Sequence, residues 1–303
     1  MVWYAIKRVL LAAVTVFLVA AITFFAMHFI PGGPFDTEKA IDPAAKAALI
    51  TRFHLDRSVP EQFLLYLGNA LRGDFGISLK TGRDVSEMVF GAFGVSARLG
   101  GLSLLVSLPL GAALGCLAAA RRGRAADRAV LLFATLLAAT PGFVVATLLL
   151  LVFCLKLGWF GVWSAQGGGM FLPVVSLALY PAAYVARLTR ASMLQALSAP
   201  PVRALRARGV REGAVLFRHA LKNAAPPVVA CVGPMAAYAL TGSMVVETVF
   251  TIGGLGSRFV ESIGNRDYPV IMAATIVMAA LIALFSLLSD LLCRALDPRV
   301  EFS

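Results

Sequence analysis

The composition of this 303-residue chain places it in a membrane, because 59% of its residues are hydrophobic, only 14% are charged and its mean hydropathy is +0.84. A soluble domain of this size needs a more polar composition to cover its surface. The net charge of +11 is typical of nucleic-acid binders, but the basic residues lie in loops beside apolar runs, without aromatic residues between them. We therefore expect an integral membrane protein with no nucleic-acid partner.

Six apolar segments are each long enough to cross a bilayer as a helix. The first follows Lys7 and Arg8 in the manner of a signal peptide, but it has the length of a full span and lacks a small-x-small cleavage site, so we expect a retained helix. The predicted fold is all-α, a polytopic membrane protein with six transmembrane helices. The six segments are residues 9–30, 96–120, 129–153, 170–187, 226–250 and 268–294.

Small residues in the second segment suggest how it packs. Gly111 and Gly115 form a GxxxG arrangement, which predicts close helix packing unless the spacing is a chance feature of a run rich in glycine and alanine. The fourth segment contains Pro173 and Pro181, which membrane helices tolerate. The four cysteines lie far apart in apolar runs without a CxxC pair, so we expect neither a disulfide framework nor a metal site.

The orientation follows from counting charges on the two sides of the six spans. One side, which includes both chain ends, carries 16 Lys/Arg and four acidic residues, whereas the other carries ten of each. Because short cytoplasmic loops are enriched in Lys and Arg, we predict that both termini are cytoplasmic.

The external segment 31–95 is predicted to form two short helices. Asp42 and Pro43 open one of them, and Pro60 opens another that ends near Gly73. About 65 residues are too few for a convincing independent core. We expect this segment to pack on the external mouth, either as a structural cover or as a docking site for a partner.

The most basic stretch is the loop 187–222, with eight Lys/Arg and one acid. Within it, Pro200-Pro201 should break the preceding helix, and Val202 to Arg208 should form a short helix ended by Gly209. A second helix, Arg211 to Lys222, is amphipathic and predicted to lie at a membrane surface or in a partner's groove. The alternative is an ordinary positive loop that only sets the topology.

Several kinds of chemistry are not indicated by the sequence. It contains no GxxxxGK[ST] phosphate loop, no HExxH and no GxSxG, so we expect neither an enzyme nor a cofactor of its own. Two acids lie within the spans, Glu247 and Asp290, both near span ends where an acid can reach water. We expect both to be structural, which disfavours an ion-coupled secondary transporter.

A series of short motifs identifies a family resemblance that covers almost the whole chain. The chain resembles the inner-membrane permease subunits of bacterial ATP-binding-cassette importers for peptides, specifically the B-type subunit of oligopeptide and dipeptide systems. The matching motifs, weak singly and specific in this order, are Pro31-Gly32-Gly33-Pro34-Phe35, Gly73-Asp74-Phe75-Gly76, Ala191-Ser192-Met193, Arg206-Ala207-Arg208-Gly209, Arg218-His219-Ala220-Leu221, Thr241 to Thr248, Gly254-Leu255-Gly256, Asn265-Arg266-Asp267-Tyr268-Pro269 and Asp297-Pro298-Arg299.

In that family the loop between the fourth and fifth spans carries a Glu-Ala-Ala signature that forms a coupling helix in a cleft of the ATPase. The resemblance places Arg203, Ala204 and Leu205 at the Glu-Ala-Ala positions and Gly209 at the signature glycine. Arg203 replaces the usual glutamate, so it should prefer an acidic partner. The proline that often ends the signature is absent at Lys222.

The resemblance implies a permease subunit of an ATP-driven importer, located in the bacterial inner membrane, that forms half of a peptide path. Its partners would be a second homologous permease, two ATPase subunits that use ATP and Mg, an extracytoplasmic substrate-binding protein, the peptide and membrane lipid. Alternative substrates are nickel chelates, glutathione and peptide antibiotics, and the contrary class is a stand-alone secondary transporter. The expected regions are 1–30 with the first span, 31–95 outside the membrane, and a core permease domain 96–303.

Two groups of candidate site residues follow from the loop and from the resemblance. The first would couple to the ATPase, and the second would line or gate the path. They are Pro201, Arg203, Ala204, Leu205, Arg206, Ala207, Arg208, Gly209, Val210 and Arg211 for coupling, and Ser243, Met244 and Glu247 for the path.

Overall fold

A computed structural model of the chain describes residues 2–29, 57–164 and 168–296. These residues are almost entirely helical; between them they form isolated β-bridges, Ile77 with Asp84 and Ser164 with Gly168, but no β-strand. The predicted all-α class is confirmed. The chain divides into two compact units, Met1–Val95 with Gly253–Ala283 and Ser96–Ile252 with Leu284–Ser303.

The described residues form twelve α-helices and two π-helical segments. The π-helical segments, Leu150–Lys156 and Val215–Ala220, each continue an α-helix. The α-helices are α1 Val2–Phe29, α2 Val59–Ala70, α3 Val85–Ala120, α4 Ala125–Ala139, α5 Gly142–Leu149, α6 Phe171–Ser198, α7 Pro200–Ala207, α8 Glu212–Ala214, α9 Leu221–Leu240, α10 Met244–Val249, α11 Leu255–Asn265 and α12 Tyr268–Leu296.

In the first unit, α2 packs on α1 through aromatic side chains. The predicted helix at Pro60 is confirmed: α2 begins after Ser58, whose N–H donates to the Glu61 carboxylate at 3.3 Å. Phe63 of α2 is buried, with its ring centroid 5.3 Å from that of Phe24 in α1. The helix predicted at Asp42 lies outside the described residues.

The loop that follows α2 is fixed by glycines and by one buried carboxylate. Gly73 has a φ of +82°, which favours glycine, and the turn places Phe75 in the core of the first unit. Asp267, just before α12, accepts hydrogen bonds from the Ser78 hydroxyl at 2.5 Å and the Leu79 N–H at 3.1 Å. The carboxylate therefore ties this loop to the start of α12.

In the second unit, α3 and α6 approach closely along the predicted GxxxG pair. A Cβ at Gly111 would lie 2.6 Å from the Ala182 carbonyl oxygen, and a Cβ at Gly115 would lie 2.6 Å from the Ala186 carbonyl oxygen. A larger residue at either position would force the helices apart. The packing interpretation of this motif is confirmed.

The predicted third span, 129–153, is broken rather than continuous. Five helices in the described residues are long and apolar enough to cross a membrane. A sixth span forms only if α4 is joined with Gly142–Lys156, which is α5 together with the first π-helical segment, and the two halves of this pair are bent by 103°. The bend falls at Thr140 and Pro141, where Thr140 is extended with ψ 125°. A residue before proline disfavours the α conformation, which explains the break.

The predicted fifth span, 226–250, also differs from a single helix. It continues from α8 through the second π-helical segment into α9, with Pro226 and Pro227 inside the helix. It is then interrupted between α9 and α10, where Gly242 has a φ of +99° and Ser243 caps α10. The left-handed glycine ends the helix.

Candidate functional site

The short helix α7 is isolated by a break on each side, as predicted from the sequence. Helix α6 ends at Ser198, Ala199 is extended with ψ 146°, and the two prolines occupy the first turn of α7. Gly209 follows the helix with a φ of +75°. Proline at the start and a left-handed glycine at the end fix the length of this helix at eight residues.

Helix α7 rests on one buried side chain and exposes most of the others. Val202 is only 1% exposed, and α7 contacts α6 and the second π-helical segment. Leu205 and Val210 are half-buried. The predicted coupling residues that lie at the surface are Pro201, Arg203, Ala204, Arg206, Ala207, Arg208, Gly209 and Arg211.

An ion pair connects α7 to the start of α8. Arg206 Nε donates to Glu212 Oε2 at 3.1 Å, and its Nη2 donates to the other carboxylate oxygen. The hydrogen bond to Glu212 raises the pKa of the Arg206 guanidinium. Because both side chains are exposed, this pair orients the loop more than it stabilises the fold.

The second predicted helix of the loop, Arg211 to Lys222, packs part of its apolar surface against the chain itself. Its apolar side faces the chain's own core: Val215 and Ala220 are fully buried, and Ala220 packs with Cys116 of α3 and Met193 of α6. Phe217 in the same stretch is 67% exposed, and the placement of this helix at a membrane surface or in a partner's groove stays a prediction. The buried residues Val215 and Ala220 hold the loop against the helical bundle.

Sequence reasoning missed a buried ion pair behind this loop. Arg190 of α6 donates to both carboxylate oxygens of Asp127 at 2.6 and 2.9 Å, and the Gly123 N–H donates to the same carboxylate at 2.8 Å. Asp127 is 3% exposed. The pair joins the start of α4 to α6, ten residues before α7 begins. The signal available in the sequence was a lone acid in a strongly basic loop.

A cavity of about 460 Å³ lies where the two interrupted segments meet α6. We call it the helix-break cavity. It is bounded by Thr140 at the α4–α5 bend, by Ser176 and Tyr180 of α6, and by Tyr238 and Ser243 at the α9–α10 break. Its lining, among the residues that the structure describes, carries no charged side chain.

The three predicted path residues differ in their surroundings. Ser243 lines the helix-break cavity and its hydroxyl accepts from the Val246 N–H at 3.3 Å. Met244 is 36% exposed. Glu247 is completely buried and accepts a hydrogen bond from the Ser96 hydroxyl at 2.6 Å.

These apolar helices, with an exposed basic loop between them, define a multi-pass membrane protein. Residues 111–302 match the family described as binding-protein-dependent transport system inner membrane component, and relatives align over nearly the whole chain. The chain therefore belongs to this family of inner-membrane permeases.

Similar proteins include named peptide permeases. The dipeptide transport system permease protein DppB of Bacillus subtilis is 38% identical over 98% of this chain and 97% of its own length. The oligopeptide transport system permease protein OppB of Haemophilus influenzae is 35% identical over 99% of both chains. DppB of Lactococcus lactis is 37% identical over 99% of this chain. The family resemblance and the inner-membrane location predicted from the sequence are confirmed.

Proposed function

We propose that this chain is the permease subunit of an ATP-driven importer for oligopeptides or dipeptides and that it forms half of the translocation path. Membership of the binding-protein-dependent family supports the transport role. The peptide substrate is supported by relatives that are named dipeptide and oligopeptide permeases and align over 97% and 99% of their lengths. A binding protein and a second permease would complete the path.

The observation that carries the coupling proposal is the exposed helix α7. It is held by the buried Val202 and exposes Arg203, and the turn after it exposes Arg208 and Arg211. An isolated, basic helix of two turns suits a groove lined by acidic side chains, because Arg–carboxylate hydrogen bonds are strong and directional. The groove would belong to an ATPase subunit, since the sequence of this chain carries no phosphate-binding loop.

The mechanism would be alternating access driven from outside the chain. Closure of two ATPase subunits around ATP and Mg would move α7 as a rigid body. The movement would pass into α6 and the bundle, because packed helices move as discrete bodies rather than deforming continuously. No cofactor held by this chain is needed for that cycle.

The test is uptake into vesicles that contain the complete transporter with its binding protein. We expect accumulation of a labelled peptide that requires internal ATP on the ATPase side and is unaffected by collapsing proton and sodium gradients. Uptake by this chain alone, driven by an ion gradient without ATP, would contradict the proposal and favour a secondary transporter. Substrate competition by nickel chelates, glutathione or peptide antibiotics would distinguish the alternative cargoes.

A further inference from the structure

Helix α6 is the most buried of the candidate spans, yet one face of it stays exposed. Its apolar window is 61% buried, against 11% to 39% for the other four candidate spans in the described residues. From residue 180 onward its exposed side chains recur every three or four positions, which places them on one face of the helix. This face, which we call the α6 stripe, consists of Tyr180, Tyr184, Arg187, Ala191, Gln195 and Ser198.

The α6 stripe differs in composition from an ordinary lipid-facing surface. The exposed face of α1 is dominated by apolar side chains, with Leu10 61% and Ile22 68% exposed. On α6, by contrast, Tyr180 and Tyr184 are 55% and 42% exposed, and Arg187 follows them on the same face. Hydroxyl and guanidinium groups are costly in hydrocarbon. The α6 stripe therefore suits water or a polar ligand better than lipid tails.

Helix α9 extends this polar surface. The Tyr184 hydroxyl lies 3.8 Å from the Cys231 sulfur, which places the two helices side by side at this level. Tyr238 of α9 is 61% exposed, and both Tyr238 and Tyr180 line the helix-break cavity. The exposed surface thus continues from that cavity along α6 to Arg187.

Arg187 gives this surface its positive charge. It is exposed and forms no hydrogen bond or ion pair with the described residues. Arg190, one turn further along α6, differs because it donates to both carboxylate oxygens of Asp127. A guanidinium without an internal partner binds a carboxylate best, since two parallel hydrogen bonds reinforce the charge attraction.

The length of the surface fits a short peptide. Tyr180 and Arg187 are seven positions apart, which is about 10 Å along a helix, and three extended residues span about the same distance. Every linear peptide ends in a carboxylate, so one arginine can hold the end that all such cargoes share. A phospholipid also carries an anionic group, but its acyl chains would then lie against the tyrosine hydroxyls.

We propose that the α6 stripe faces the translocation path and that Arg187 binds the C-terminal carboxylate of the transported peptide. This inference rests on the proposed function. The tyrosines would contact the rest of the peptide through their rings and hydroxyls, which do not distinguish one sequence sharply from another. Selection would thus fall on the common end of the cargo rather than on its side chains.

The first test uses the native Cys231 as a reporter of the stripe. The complete transporter, purified without a binding protein, is treated with a charged, water-soluble thiol reagent, and mass spectrometry identifies the labelled cysteines. We expect Cys231 to be labelled and the buried Cys116, which is 9% exposed, to be spared. Tri-alanine should slow the labelling of Cys231, at a half-protecting concentration about tenfold lower than that of tri-alanine amide, which lacks the carboxylate.

The second test removes the charge of Arg187. Arg187→Gln should raise the half-protecting concentration of tri-alanine about tenfold, to that of the amide, and leave the amide unchanged. Arg187→Lys should keep part of the preference for the free acid, because it keeps the charge but not the paired hydrogen bonds. The matched control is Arg122→Gln, which removes an exposed arginine outside the α6 stripe and should alter neither value. Thermal unfolding should be the same in all four chains.

Three results would overturn the inference. Labelling of Cys231 by a membrane-soluble maleimide but not by the charged reagent would place lipid against the α6 stripe. Labelling by the charged reagent in the isolated chain but not in the transporter would place a second permease there. Equal protection by tri-alanine and its amide in wild type, or an equal loss of both in Arg187→Gln, would show that Arg187 does not bind the peptide carboxylate.

Peptide uptake separates this inference from the proposed function. If vesicles with the complete transporter and binding protein take up tri-alanine with ATP while any of those three results is obtained, only this inference fails. If they take up no peptide with ATP in any condition, the proposed function fails. Uptake of tri-alanine that falls about tenfold in Arg187→Gln and is unchanged in Arg122→Gln supports both.

Discussion

Helix α7 and the helix-break cavity belong to the same compact unit but are built in opposite ways. Helix α7 buries Val202 and leaves its arginines in solvent, whereas the cavity buries hydroxyl groups and has no charged side chain among its described lining residues. The first arrangement suits a protein partner that supplies acidic side chains, and the second suits a neutral ligand. The two features therefore suit different kinds of partner although they belong to one compact unit.

The largest expected effect comes from breaking the ion pair between Asp127 and Arg190 behind the basic loop. Asp127→Ala leaves the Arg190 guanidinium partly buried without its carboxylate. We expect the free energy of unfolding to fall by about 2 to 4 kcal/mol, somewhat less than for a fully buried pair because Arg190 retains some exposure. Thermal unfolding in detergent measures this loss.

The control for this prediction replaces both partners. Asp127→Leu with Arg190→Met should recover most of the stability, because apolar residues of similar volume can substitute for a buried pair. If Asp127→Ala unfolds at the same temperature as wild type, the ion pair between Asp127 and Arg190 does not stabilise the part of the chain behind α7.

The next largest effect is expected at Gly209, the glycine that ends α7. Gly209→Val forces a branched residue into a φ of +75°, a conformation that costs about 1 to 3 kcal/mol. We expect α7 to be displaced, with a loss of about tenfold or more in peptide uptake and in substrate-stimulated ATPase activity, while the chain still inserts.

Gly213→Val is the matched control, because Gly213 lies in the same loop within α8 and a Cβ there meets open space. Gly209→Asn should retain most activity, since asparagine tolerates the left-handed region better than other residues. Equal uptake by wild type and Gly209→Val would show that α7 geometry is unimportant for coupling.

The smallest expected effect concerns the exposed ion pair between Arg206 of α7 and Glu212 of α8. Glu212→Ala removes the partner of Arg206, but both side chains are well exposed. We expect a change of less than about 1 kcal/mol in stability, decreasing further at high salt. A loss as large as that of Asp127→Ala, measured in the same unfolding assay, would contradict the contrast between the two ion pairs.

Much of the fold was predictable because the local composition of a sequence distinguishes membrane helices from basic loops. The six apolar segments, the short helix between Pro200 and Gly209, and the close packing at Gly111 depend on local rules of hydropathy, proline and glycine. The bend at Thr140-Pro141 was also present as a local signal, but it was outweighed by the length of the apolar run. Apolar length alone does not distinguish a straight span from a bent pair.

The remaining features depend on contacts between residues far apart in the chain. Nothing local in the sequence pairs Asp127 with Arg190. Nor does it show that Ser103 donates to the Leu99 and Val174 carbonyls while Ser176 has no partner among the described residues. The amphipathic pattern of Arg211 to Lys222 predicts a helix with an apolar side, but not that Val215 and Ala220 are buried within the chain itself. A single helix face cannot indicate which surface covers it.

The most direct test of coupling through α7 is purification of the tagged chain from its own cells by gentle detergent extraction, with mass-spectrometric identification of the proteins that accompany it. One variant has residues 200–212 scrambled, which keeps the charge of the loop and therefore its effect on topology. We expect wild type to bring a second permease and two ATPase subunits, and the scrambled variant to reach the membrane at the same level but to lose the ATPase subunits. If the scrambled chain retains the ATPase subunits, or if wild type purifies alone, α7 is not the coupling element and the basic loop serves only to set the topology.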